Sequence, residues 1–247
     1  MSVLFSLTKR NMKEILREPI SLVFLIGLPV LMELLFYFLF HSLTPQFEMQ
    51  HLAPAMIGFA NAFLSLFLAL LVSTDRESSF IARIYTTPVT PLAFILGYLL
   101  AIIPFGLCQS AIVLLVGGII SPALFSLRLL LTLLTSLLPT VMFAAIGILF
   151  GSLLSTKAVG GVSSIVICGQ SVLSGMWFPQ EGLSGGFVAF MNALPFRNIS
   201  TLFQSITAGN GANTFQQIWL PILILGVYTV ISLAASCFFF IRSSKGK

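Results

Sequence analysis

Apolar residues along this chain neither alternate with polar ones nor recur at helical spacing on a polar background. They run on. Six stretches, about residues 20–40, 53–74, 92–116, 129–154, 158–177 and 219–241, are almost wholly apolar. A helix needs about 20 apolar residues, at roughly 1.5 Å each, to cross about 30 Å of hydrocarbon, and each stretch is long enough. A transmembrane barrel would instead show segments of about ten residues with alternating polarity. The pattern predicts an all-α integral membrane fold with six transmembrane helices. Only Ser155, Thr156 and Lys157 separate the fourth and fifth stretches, which predicts a tight hairpin or a bend. The first stretch exceeds the roughly 7 to 15 apolar residues of a signal peptide and has no small-residue cleavage site after it, so it is expected to stay attached.

The segments between the stretches have patterns of their own. In residues 1–18, Leu4, Phe5, Met12, Ile15 and Leu16 fall on one arc at about 100° per residue, with Lys9, Arg10, Lys13 and Arg17 opposite. This predicts an amphipathic helix lying in the membrane interface. Pro19, tolerated at a helix start, breaks the axis before the first span. The connection at 75–91 opens with Asp75-Arg76-Glu77 and mixes charge with Phe80, Ile81 and Ile84. Those apolar residues, at i, i+1 and i+4, predict a short helix that rests on the membrane or in a partner's groove, with Arg83 turned away and Pro88 and Pro91 ending it. Residues 178–218 are glycine-containing yet also carry Phe187, Phe190, Met191, Phe196, Leu202 and Phe203. That is too apolar for a solvated loop. It predicts two short re-entrant outer helices before the last span, with Pro195 and Arg197 at their corner.

Composition sharpens the reading. Of 247 residues, 57% are hydrophobic and 8% charged, against roughly 25% charged in a soluble domain, which excludes a soluble fold. The cations are sorted: Lys9, Arg10, Lys13, Arg17, Arg76, Arg83, Lys157, Arg242, Lys245 and Lys247 fall on one side, and Arg128 and Arg197 on the other. The positive-inside rule then puts both termini in the cytoplasm. The net charge of +5 reads as attraction to anionic membrane lipid rather than to nucleic acid, since no basic and aromatic interleaving accompanies it. Seven acids and two His leave little material for a metal centre or an acid/base pair. Cys108, Cys168 and Cys237 lie in apolar spans and read as small hydrophobes.

Inside the spans the polar residues are few. Glu33 is the sole carboxylate there, a candidate for the translocation path or a subunit interface, with a hydrogen-bonded structural role as the other reading. Gln109, Ser110 and Gln170 either line a pathway or bond helix to helix. Gly147 and Gly151 form a small-xxx-small pair suited to close helix approach, within or between protomers. Pro104 and Pro139 are expected to kink the third and fourth spans, with Thr132, Thr135, Ser136 and Thr140 available to satisfy freed carbonyls. Trp177 and Trp219 fall at expected interfaces, and Tyr228 within a span.

Several of these strings together carry a likeness. The amphipathic start leading to Arg17-Glu18-Pro19, Asp75-Arg76-Glu77 leading to Tyr85-Thr86-Thr87-Pro88, and Leu173-Ser174-Gly175-Met176-Trp177-Phe178-Pro179 occur in order along the chain. Met191-Asn192-Ala193-Leu194-Pro195-Phe196-Arg197 follows, with two residues between Asn192 and Pro195. Over nearly its full length the chain resembles the membrane subunits of type-2 ABC exporters, whose Asn-Pro turn lacks that insertion. The resemblance implies that residues 75–85 form the coupling helix that docks in an ATPase, through Asp75, Arg76, Glu77, Phe80, Ile81, Arg83 and Ile84. It also implies that the N-terminal helix flanks it and that Trp177, Phe178, Pro179, Asn192, Pro195 and Arg197 shape an outer gate. A second permease protomer, identical or not, and two copies of the ATPase are implied partners, in a bacterial cell membrane.

Two strings resemble nucleotide motifs and are rejected. Leu183-Ser184-Gly185-Gly186 lies in the expected outer segment, and Lys157 lacks the preceding Gly and following hydroxyl of a phosphate loop. Neither has an acidic partner to hold magnesium. This chain is thus expected to hold no cofactor and to be no enzyme itself, with ATP and Mg on the partner ATPase. An ion-coupled secondary transporter is the alternative. It wants several buried acids or a repeated broken helix, and Glu33 alone is thin support. Short loops favour a drug-like or lipid-like substrate over a polysaccharide.

Overall fold

The computed structural model describes residues 2–78, 90–178, 182–209 and 214–245, and those are helical with no strand among them. Six helical segments are long and apolar enough to cross a membrane. Helix α1 (Ser2–Arg17) precedes the first span, which is built from α2 (Pro19–Leu22), a π turn (Val23–Gly27) and α3 (Leu28–Phe40). The π turn stands just before Pro29, whose ring would meet the carbonyl four residues back in a regular helix. Helices α4 (Met49–Glu77) and α5 (Pro91–Ile120) are the second and third spans. Two pieces, α6 (Leu127–Thr135) and α7 (Leu137–Leu153), make the fourth, and α8 (Thr156–Leu173) the fifth. Helices α9 (Gly185–Ala193) and α10 (Pro195–Ala208) come before the last span, α11 (Thr214–Lys245).

Helix α4 is the most buried span and packs against α5, α7, α8 and α10. Its closest neighbour is α7, and the reason is glycine. A Cβ at Gly147 would lie 2.6 Å from the Ser65 carbonyl oxygen, and one at Gly151 would lie 2.6 Å from Val72 Cβ. The small-xxx-small pair therefore works within one protomer. Around α4, Met56, Leu64, Leu68, Phe143 and Ile148 fill the core.

Contacts define two ends of the bundle. At the near end, the C-termini of α4 and α7 meet the N-termini of α5 and α8 together with α1, and Phe94 of α5 touches Phe240 of α11. At the far end, Trp177 stacks on Phe36 of α3, with Phe47 and Phe59 close by. Two short helices, α9 and α10, precede the last span there, with Pro195 opening the second. Asn198 pins the corner by donating to the carbonyls of Asn192 and Leu194, at 2.8 and 2.7 Å.

Two expectations become more specific. The regular helix of the fourth span is interrupted at Ser136, three residues before Pro139, in keeping with the expected kink, while Ser136 itself keeps helical dihedrals. Hydroxyls of Thr132, Thr135 and Ser136 take up the carbonyls of Arg128, Leu131 and Leu133, so the break leaves few orphan acceptors. Pro104, by contrast, sits in α5 without interrupting it. Helix α1 also packs on the bundle through a stripe that the projection did not show. Its buried stripe is Leu7, Asn11 and Ile15, packed on α5, while Phe5 and Leu16 are 70% and 54% exposed. A polar residue at the centre of the stripe hides it from a purely hydrophobic projection.

Helix α10 ends on Gly209, at φ +45°, with Arg128 donating to the Ala208 carbonyl and lying against the glycine. A side chain there meets both a left-handed backbone and the guanidinium. Gly209→Ala is expected to cost about 1 to 2 kcal/mol, read as a lowered unfolding midpoint in detergent.

Candidate functional site

The near end is built from opposite charges brought together from distant sequence. Arg10 of α1 forks onto Asp75 in the last turn of α4, with its Nη2 donating to Oδ1 at 2.6 Å. Tyr98 of α5 donates to the same carboxylate at 2.7 Å. Burial lowers the Arg10 guanidinium, but the hydrogen bond and charge of Asp75 outweigh it and hold Arg10 above its ordinary value. Gly97 lets Leu7 and Asn11 of α1 approach α5 beside this pair. A cavity of about 100 Å³ adjoins it, walled by Glu14, Glu18, Leu25, Phe67 and Thr74.

The next two residues reach the other way. Arg76 donates to the carbonyls of Ser152 and Leu154 at the C-terminus of α7, the negative end of that helix. Glu77 accepts from the Thr156 N–H at 2.9 Å, at the positive N-terminus of α8. One helical turn thus joins α1, α5, α7 and α8. Asp75, Arg76 and Glu77 belong to helix α4 rather than to the connection after it; Asp75 is buried, Arg76 half-buried and Glu77 exposed, each bonded to a neighbouring element. Phe80, Ile81, Arg83 and Ile84 lie outside the described residues.

The middle of the bundle holds a polar group that sequence reading missed. Asn61 of α4 accepts from the Thr140 hydroxyl at 2.6 Å and donates to Ser110 Oγ at 3.3 Å and to its own helix at Ile57. Asn61 stands in a long apolar run, and only its neighbours in space explain it. Ser110 is thus a helix-to-helix bond. Gln109 is buried, and neither amide atom has a partner among the described residues. Gln170 sits over Gly58 and donates to the Phe196 carbonyl at 3.3 Å, tying α8 to the α9–α10 corner. Glu33 is fully buried; a Cβ at Gly117 of α5 would lie 3.3 Å from its Oε1, and no described residue bonds either oxygen.

The far end gathers most of the expected gate residues. Trp177 donates to Ser171 Oγ at 2.6 Å, Phe178 offers its carbonyl to Gln46, and Asn192 and Pro195 frame the corner. Pro179 lies outside the described residues. Arg197 is partly buried, and loss of solvent lowers its guanidinium from the ordinary value.

Six apolar helical segments around a central helix that carries the near-end charges define a polytopic membrane protein. The family model of the ABC-2 type transporter matches residues 2–208, and the chain belongs to that family. It is therefore the permease type of ABC transporter subunit. No curated protein matches the chain.

Proposed function

We propose that this chain is the permease of an ATP-driven exporter that moves a drug-like or lipid-like amphipathic molecule out of a bacterial cytoplasm. Two ABC ATPase subunits carry ATP and Mg, and a second permease protomer, identical or not, completes the path. Both termini and the near end face the cytoplasm, in keeping with the side on which ten of the 12 cations cluster.

The observation that supports this most strongly is the last turn of α4. It is tied to four other helices and leads directly into 79–89, the segment expected to meet the ATPase. A displacement delivered there would be shared at once by α1, α4, α5, α7 and α8. Alternating access needs groups of helices to move together, and such ties supply that.

Reconstitution with the co-purified ATPase tests it. Hydrolysis should rise with an exported compound in the wild-type complex. A Phe80→Ala, Ile84→Ala chain should still assemble with wild-type unfolding behaviour yet leave hydrolysis at its unstimulated rate. Proton-driven transport by the permease alone would overturn the reading.

A further inference from the structure

A polar cavity of about 210 Å³ opens at the far end between the start of α4, the end of α8 and one face of α10. Gln46, His51, Ser174, Arg197, Thr201 and Gln204 line it, and no carboxylate is among its described lining residues. Arg197 stands on the third residue of α10, where a cation opposes the helix dipole and weakens the helix. Its Nη1 is buried and has no acceptor among the described residues. The other far-end cation is placed quite differently: Arg128 serves the C-terminal carbonyl of the same helix, where a cation is favourable.

Arg197 therefore opposes the helix dipole where it is, and no described residue accepts from its Nη1. The side chain as a whole is half-buried, but a guanidinium nitrogen held from water without an acceptor costs free energy, and an anion in the cavity would reverse the sign. Its geometry suits a phosphate, whose oxygens match the guanidinium fork. A second atom points the same way. Gln46 donates to the carbonyls of Gly175 and Phe178, at 3.3 and 2.8 Å, which leaves its Oε1 buried with no donor. A ligand that fills this pocket thus brings an anionic acceptor for Arg197 and a hydroxyl donor for Gln46. The walls are already set: Gln204 donates to the His51 carbonyl at 3.0 Å, holding α10 to α4 around the cavity.

We propose that this far-end pocket binds a phosphate group, carried either by a hydroxyl-bearing phospholipid headgroup or by free hydrogen phosphate. Arg197 holds the phosphate and Gln46 accepts from the hydroxyl. The site is independent of the ATPase coupling proposed above and stands or falls without it.

The test uses the purified full chain in a neutral detergent. Dihexanoyl phosphatidylglycerol and sodium phosphate are titrated separately, and then the lipid in the presence of phosphate, at matched ionic strength against sodium chloride, with the unfolding midpoint and direct binding as readouts. The wild-type chain should show saturable stabilisation. Arg197→Gln should bind at least about tenfold more weakly, and Arg197→Lys should fall between. Thr201→Phe, which fills the cavity but keeps the guanidinium, should lose binding too and guards against misfolding of the arginine variants. Stabilisation by phosphatidylglycerol with no competition from phosphate assigns the site to lipid, and full competition by phosphate assigns it to the free ion. The proposal is overturned if neither ligand exceeds the chloride control, or if Arg197→Gln and Thr201→Phe bind as the wild type does.

Discussion

Asp75→Ala is expected to destabilise the folded permease by about 2 to 3 kcal/mol, because it removes the carboxylate that both Arg10 and Tyr98 bond at a junction closed to solvent on the Asp75 side, leaving Arg10 its weaker contacts to Asn11 and Glu14. Arg10 is about 30% exposed, so water recovers part of the loss and keeps the figure below the upper range for buried pairs. The paired replacement Arg10→Met with Asp75→Leu removes both charges and should be far milder than the sum of the single changes, by more than about 1 kcal/mol. Chemical unfolding in detergent reads both. ATPase stimulation in the reconstituted complex should fall for Asp75→Ala even at temperatures where the protein stays folded. An unfolding midpoint equal to that of the wild type would mean that the junction holds nothing together.

Gly151→Val should be equally damaging for a different reason. Its new Cβ would lie 2.6 Å from Val72 Cβ and 2.7 Å from the Ala69 carbonyl oxygen. A side chain could swing aside, but a carbonyl inside α4 cannot move without disturbing the helix. The two helices must separate, at a cost of about 3 kcal/mol from overpacking and lost contact. Gly147→Ala meets the Ser65 carbonyl in the same way and should lose slightly less. The control lies on α8, where a Cβ at Gly160 or Gly161 meets nothing within 4 Å. Gly160→Ala should leave stability unchanged or raise it by about 0.5 to 1 kcal/mol through helix propensity. Size-exclusion profiles and unfolding midpoints distinguish these variants. A monodisperse Gly151→Val with an unchanged midpoint would refute the packing account.

Much of the architecture was legible because a membrane makes hydrophobic length informative. All six spans, the tight join near Ser155 and the corner at Pro195 came from runs of apolar residues and from proline. The glycine pair at Gly147 and Gly151 was legible as a close approach, though not the partner it approaches. Errors arose where one-dimensional pattern carries no direction. Span ends shifted because apolar and polar residues both continue helices, so α4 absorbed Asp75, Arg76 and Glu77. The stripe by which α1 packs on the bundle was not legible because Asn11 lies on it and Arg10 is drawn to an acid 65 positions away. Asn61 passed unnoticed for a related reason. Its meaning depends on Ser110 and Thr140, brought beside it only by folding.

Helix α4 carries Asp75 near one end and His51, a wall of the far pocket, near the other. With 29 residues, it is a rod about 43 Å long. A tilt of about 10° about its inner end would swing the outer end by about 7 Å, roughly the length of five residues of helical rise. No wall of the far cavity could ride through such a swing unchanged, because His51 moves with the rod and is bonded to Gln204. The arrangement is that of a lever: any small tilt pivoting at the charged junction would become a large stroke at the opposite end.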